Sequence, residues 1–182
     1  MPMPPLHPPI ALPALPALRR RGFTLVELMI SLAVLVLLLA VAVPSMQEFT
    51  ANNQLVSAKS NFAAALALAR TEAAKRGRVV VLQALGTGPT GNEFVNGWEI
   101  AVDDDGDGSV ATGETRVRKN ATTLERIKLG GTPQVGFRAT GALAGTAAQV
   151  YTLCRGGGTR GFTVTVMPSG VTDVAAITTC TP

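Results

Sequence analysis

Apolar residues run almost unbroken from 23 to 43, recur every three or four positions to about residue 73, and alternate with polar ones beyond residue 78. As a helix, the first run would rise roughly 31 Å at ~1.5 Å per residue, about one membrane thickness. After Pro44, the residues Leu55, Ala58, Phe62, Leu66, Ala69 and Ala73 form one apolar stripe. Gln47, Asn53, Lys59, Arg70 and Lys75 occupy the remaining surface, and Arg76 followed by Gly77 is a helix stop. The pattern predicts one long helix over 23–76, bent near Pro44. Its first part (23–43) is long and apolar enough to span a membrane, and its second part packs on a sheet.

The period-two region predicts strands at 78–85, 97–103, 114–119, 124–129, 134–138, 148–154, 161–167 and 174–179. Phe162-Thr163-Val164-Thr165-Val166 alternates cleanly, the pattern of a half-buried antiparallel strand. Pro168-Ser169-Gly170 reads as a turn, and 86–96 and 140–149 read as flexible loops. The fold class is therefore α+β: a long N-terminal helix packed on an antiparallel β-sheet domain at 77–182.

Charge assigns sides to the apolar run. Arg19, Arg20 and Arg21 precede it and no comparable cluster follows, so a single-pass anchor leaves the arginines in the cytoplasm and sends residues beyond Pro44 outward. Residues 1–18, rich in proline, read as part of a disposable leader. Glu27 is the exception inside the anchor. An ionised carboxylate costs on the order of 2.5 to 3.5 kcal/mol at the bilayer centre and less near its edge, so it calls for a cationic partner. Cleavage after Gly22 would supply one, the new amino group of Phe23, on the same chain or a neighbour. An ordinary secretory signal ending in Ala40-Val41-Ala42 and cut before Val43 is the rival reading. It leaves Glu27 unexplained and is longer than such signals usually are.

The formal charge of +4 is mostly leader, and without its three arginines the chain carries +1. A strong basic balance thus gives little argument for nucleic acid. The one histidine, His7, also lies in the leader, which removes Ser-His-Asp and Cys-His catalysis and the commonest zinc sites from the mature chain. The chain reads as structural, with no cofactor required. Cys154 and Cys180 both fall in the exported part, where an oxidising compartment permits a disulfide closing a loop of 27 residues near the C-terminus, worth roughly 3 to 4 kcal/mol. Two reduced buried thiols are the other possibility.

Gly22-Phe23-Thr24-Leu25-Val26-Glu27-Leu28 resembles the processing site of type IV pilins and pseudopilins. That resemblance implies a prepilin peptidase that cuts after Gly22 and N-methylates Phe23, with Glu27 aligning subunits in a filament and Pro44 kinking the helix. Three later stretches resemble the GspH/FimT family of minor pilins and pseudopilins. They are 97–118 with its Asp/Gly-rich turn, Phe137-Arg138-Ala139-Thr140-Gly141, and Val166-Met167-Pro168-Ser169-Gly170. The resemblance implies a bacterial inner-membrane protein with a periplasmic domain. Its partners are other pilins in a type II secretion pseudopilus or a type IV pilus. Members that serve DNA uptake carry a Gly-Arg-x-Arg motif, where this chain has Gly170-Val171-Thr172-Asp173.

Two constellations could bind something. Asp103, Asp105, Asp107 and Glu114 match calcium-loop spacing, with the Ser109 carbonyl as a further oxygen, although the flanks read as strands rather than helices, and a plain hairpin turn accounts for the same residues. Arg155 and Arg160 bracket a glycine-rich loop that could face DNA, or could equally be a solvated connection.

Overall fold

The structure is a computed structural model that describes residues 22–124, 126–156, 158 and 160–180. His7, Arg19, Arg20 and Arg21 lie outside the described residues. Helix α1 covers Leu25–Arg76. Thr24 starts it: the Thr24 Oγ1 accepts the Glu27 N–H at 3.2 Å, a capping bond to the third helical residue. The Glu27 carboxylate sits in the first turn, where the helix dipole favours an anion. At the other end, Lys75 and Arg76 fill the last turn, and Gly77 follows with φ +66° while donating to the Ala73 carbonyl at 3.0 Å.

Pro44 stands inside α1, and the chain divides there into two compact units, 1–43 and 44–182. In the first, every described residue is exposed. In the second, the expected stripe is buried to the last residue, with Leu55 3% exposed and Phe62, Leu66, Ala69 and Ala73 fully covered. Ala51 and Ala65 extend it. All described buried residues belong to this second unit, so it carries its own core.

Eight strands follow: β1 Val80–Ala84, β2 Trp98–Val102, β3 Arg116–Asn120, β4 Ile127–Gly130, β5 Gln134–Phe137, β6 Gln149–Arg155, β7 Gly161–Val166 and β8 Thr172–Ile177. Each expected strand is present, displaced by at most three residues at either end. They divide between two four-stranded antiparallel sheets, ordered β3-β2-β1-β5 and β4-β6-β7-β8. The largest displacement has a local cause. Leu124, expected to open a strand, donates its N–H to the Val95 carbonyl at 3.0 Å and so belongs to the loop packing.

Phe62 of α1 is the meeting point of these layers. It stacks edge-to-face on Phe94 (5.3 Å between ring centroids), Trp98 of β2 (5.6 Å) and Tyr151 of β6 (5.1 Å), contacts worth roughly 0.5 to 1.5 kcal/mol each beyond their burial. One ring from α1 thus ties together both sheets and the loop before β2.

The loop at 86–96, expected to be flexible, is instead stitched to β4. Phe94 is fully buried and donates to the Leu129 carbonyl at 3.1 Å, while the Asn92 Oδ1 accepts the Leu129 N–H at 3.0 Å. The Glu93 carboxylate accepts the N–H groups of Gly91 (2.9 Å) and Gly131 (3.0 Å). The 140–149 loop is also anchored, by Leu143, 1% exposed and bridged to Phe137.

Candidate functional site

The N-terminal segment presents its processing residues openly. Gly22 and Phe23 precede α1, Phe23 is 75% exposed, and open space surrounds Gly22. Glu27 lies one turn further on and forms no ion pair with any described residue. From Leu25 to Val43 the large apolar side chains are uncovered, and the mean hydropathy of the apolar stretch is 2.8. A helical segment that is apolar all round and covered by no described residue has the chemistry of a membrane anchor.

The Asp-rich stretch joins β2 to β3 and is a hairpin connection, built from its own carboxylates. Asp103, 6% exposed, accepts the N–H groups of Gly106 (2.6 Å) and Gly108 (3.1 Å). Glu114 accepts those of Asp104 (2.9 Å) and Ala111 (2.7 Å). Asp103, Asp105 and Glu114 bring carboxylate oxygens within 4.8 Å of one another. Asp107, expected as a fourth member, is not part of that group. Its carboxylate turns instead to Ser109, accepting the N–H at 2.7 Å and the hydroxyl at 2.8 Å.

Asp104, which the calcium spacing passes over, closes the hairpin. It accepts the Thr115 N–H at 3.1 Å and receives Arg78 at 2.7 Å. Thr115 first, and the Arg78 charge after it, hold the Asp104 carboxyl below its ordinary range. The Ser109 N–H and hydroxyl do the same for Asp107.

The structure places Arg155 at the end of β6, opposite Ile127 of β4, and Arg160 immediately before β7. Both therefore flank the β6–β7 connection, and Arg160 is exposed. Beside Arg155, Cys154 is disulfide-bonded to Cys180, with the Cα atoms 5.7 Å apart. Since β7 lies between β6 and β8, the bridge ties the segment after β8 across that strand.

Arg70, assigned from the sequence to the free surface of the helix, is half-buried and serves as a clamp. Its Nε donates to the Gly141 carbonyl at 2.9 Å and one terminal nitrogen to the Ser169 carbonyl at 3.4 Å. Gly170 has φ +78°, and a side chain there would collide with the Gly141 carbonyl. The short motifs ending in Gly141 and Gly170 are thus two turns packed back to back under one guanidinium. Arg70 adjoins the stripe residue Ala69, a position that hinted at an inward role.

The family model described as type II transport protein GspH matches residues 58–170, well over half the chain. The chain belongs to the GspH family. A second model, the prokaryotic N-terminal methylation motif, matches residues 18–43. No curated protein matches the sequence. Two crystal structures of the Pseudomonas aeruginosa type IV minor pilin FimU share its fold. One matches with TM-score 0.55 and 21% identity, covering 70% of this chain and all of that one. The other matches with TM-score 0.57 and 23% identity, covering 73% and 99%. This GspH-family chain therefore has a type IV pilin-like fold, with Arg70 and both turns it clamps inside the family match. Its apolar helix fits membrane anchoring, and the proteins it resembles are a transport protein and a pilin rather than enzymes.

Burial opposes ionisation of Glu93, but the Gly131 and Gly91 N–H groups outweigh it and keep that carboxyl below its ordinary 4.5. A depressed carboxyl stabilises the fold above its unfolded pKa and ceases to as pH falls through the lower folded value. Thermal melts should accordingly show Tm constant above about pH 5 and falling below about pH 4. Glu93→Gln should lose roughly 1 to 3 kcal/mol at neutral pH and approach the parent protein near the acid end. A constant gap between the two at every pH would contradict the assignment.

Proposed function

We propose that this protein is a minor pilin or pseudopilin, cut after Gly22 by prepilin peptidase, N-methylated on Phe23 and assembled into a filament or its tip. The observation that carries the reading is the apolar helix that no described residue covers, open at the Gly22–Phe23 junction and bearing in its first turn an acid that pairs with no described residue. Anchored in the bacterial inner membrane, the chain holds its β domain in the periplasm. In the filament, neighbouring apolar helices replace lipid around residues 25–43, and Glu27 meets the amino group of a Phe23.

A type II secretion pseudopilus and a type IV pilus both fit. The family model favours the first and the FimU likeness extends no further than the fold. DNA uptake through Arg155 and Arg160 is the weaker alternative, because Gly170–Asp173 replaces the arginine-bearing motif with an exposed acid. A soluble exported protein cut before Val43 would discard the whole methylation motif.

A second reading concerns calcium in the β2–β3 hairpin, favoured by the convergence of Asp103, Asp105 and Glu114. The carboxylates would supply hard oxygen ligands, and a weak extracellular affinity of about 10⁻⁴ to 10⁻³ M would suffice outside the cytoplasm.

Two outcomes are expected. Glu27→Ala should be processed normally yet recovered at a much lower level in sheared filaments, because a buried amine loses its carboxylate; unchanged recovery would remove Glu27 from assembly. Millimolar calcium should raise Tm in the parent protein but not in Asp105→Ala, and calorimetric heat equal to buffer dilution would end the calcium reading.

A further inference from the structure

Two Asp-Gly junctions, Asp105-Gly106 and Asp107-Gly108, follow one another in the β2–β3 hairpin and repeat one geometry. In each, the carboxylate folds forward over the next peptide to the N–H two residues on. The Asp105 Oδ1 accepts from Asp107 at 3.1 Å, and the Asp107 Oδ1 accepts from Ser109 at 2.7 Å. Each is an Asx-type turn, and the ring it closes contains the glycine nitrogen together with the carboxyl carbon before it. Both glycines have positive φ, +81° and +80°, and Asp105, Gly106 and Asp107 are exposed.

An Asp-Gly pair folded this way is set up to react with itself. When the carboxyl is neutral, the glycine nitrogen can attack its Cγ. An N–Cγ bond forms, the C–OH bond breaks, and the hydroxyl leaves as water with the amide proton, which closes a succinimide ring. Water then opens the ring, and opening at the main-chain carbonyl leaves the chain running through the side-chain carboxyl. That isoaspartyl link has the mass of the parent and involves no change of oxidation state. Glycine offers no Cβ to hinder the attack.

One side chain stands against both reactions. Asp103, only 6% exposed, accepts the Gly106 N–H on one oxygen at 2.6 Å and the Gly108 N–H on the other at 3.1 Å. A carboxylate bound to an amide opposes loss of the amide proton, and a charge-assisted bond of this kind is roughly twice as strong as a neutral one. We propose that Asp105 and Asp107 are sites of succinimide and isoaspartate formation held closed by Asp103, whose two oxygens occupy both attacking nitrogens. Without Asp103, Asp105 is the more reactive of the two. The Ser109 N–H and hydroxyl hold the Asp107 carboxyl below its ordinary range, and the ionised form does not take the attack. The consequence is local, since an isoaspartyl link adds one methylene to the main chain and carries the Asp105 carboxylate out of the group it forms with Asp103 and Glu114.

The test uses the full-length chain in detergent micelles, the parent beside Asp103→Ala and Asp104→Ala, held for weeks in mildly acidic water enriched in oxygen-18. Electron-transfer fragmentation of peptides locates isoaspartate, and each opened succinimide retains one heavy oxygen. Asp103→Ala should accumulate isoaspartate at least about ten-fold faster than the parent, with Asp105 ahead of Asp107. Asp104→Ala removes the bonds that close the same hairpin to Thr115 and Arg78 but leaves Asp103 in place, and it should stay close to the parent. Should Asp103→Ala fail to fold, Asp105→Asn asks the question with Asp103 intact. Its Asn-Gly junction loses ammonia in the same ring closure, and the deamidation should be at least about ten-fold slower in the folded chain than in urea. Equal rates in Asp103→Ala and the parent, equal acceleration by Asp104→Ala, or equal deamidation folded and unfolded would each overturn the proposal. None of these readouts depends on processing or assembly.

Discussion

Among the described residues nothing covers the apolar side chains between Leu25 and Val43, and that single constraint organises the rest. Leucines and valines that would each gain roughly 1.5 to 3 kcal/mol from burial stand open along a helix already complete in its own hydrogen bonds. In the proposed function that cover comes from lipid before assembly and from like helices after it. The second half of the same helix meets the opposite condition. There the stripe from Leu55 to Ala73 is saturated by two sheets, with Phe62 at the point where they meet. One continuous helix therefore joins a segment with no described cover to a domain that carries its own core.

The helix and the strands were legible because their signals are local. A stripe at spacings of three and four, a glycine after a terminal arginine, and period-two alternation each report the conformation of neighbouring residues. What escaped was long-range. Phe94 sits in a stretch of glycine, proline and polar residues, the composition of a loose connection, yet it fills the core from the loop side. The division of eight strands into two sheets depends on pairings such as β1 with β5, about fifty residues apart along the chain. Arg70 looked like one cation among several on a helix surface, and only the folded chain brings the Gly141 and Ser169 carbonyls to it.

The Asp-rich hairpin shows how one composition serves two purposes. Its spacing resembles a calcium loop, and three of the four expected carboxylates do converge. The fourth, Asp107, is drawn away by Ser109, and Asp104, outside the pattern, makes the bonds that close the turn. Backbone N–H groups at glycines claim the oxygens that the motif reserves for a metal, while the outward acids leave a negative crest. Spacing alone could place those residues in one turn, but not say which oxygens remained free.

Where the mature chain begins decides whether the uncovered helix stays with the β domain. Intact-mass and N-terminal fragment analysis of the protein recovered from membranes measures it directly. The expected chain starts at Phe23 and carries one added methyl group on its amine. A mature terminus at Val43 would remove the apolar helix and contradict the proposed function.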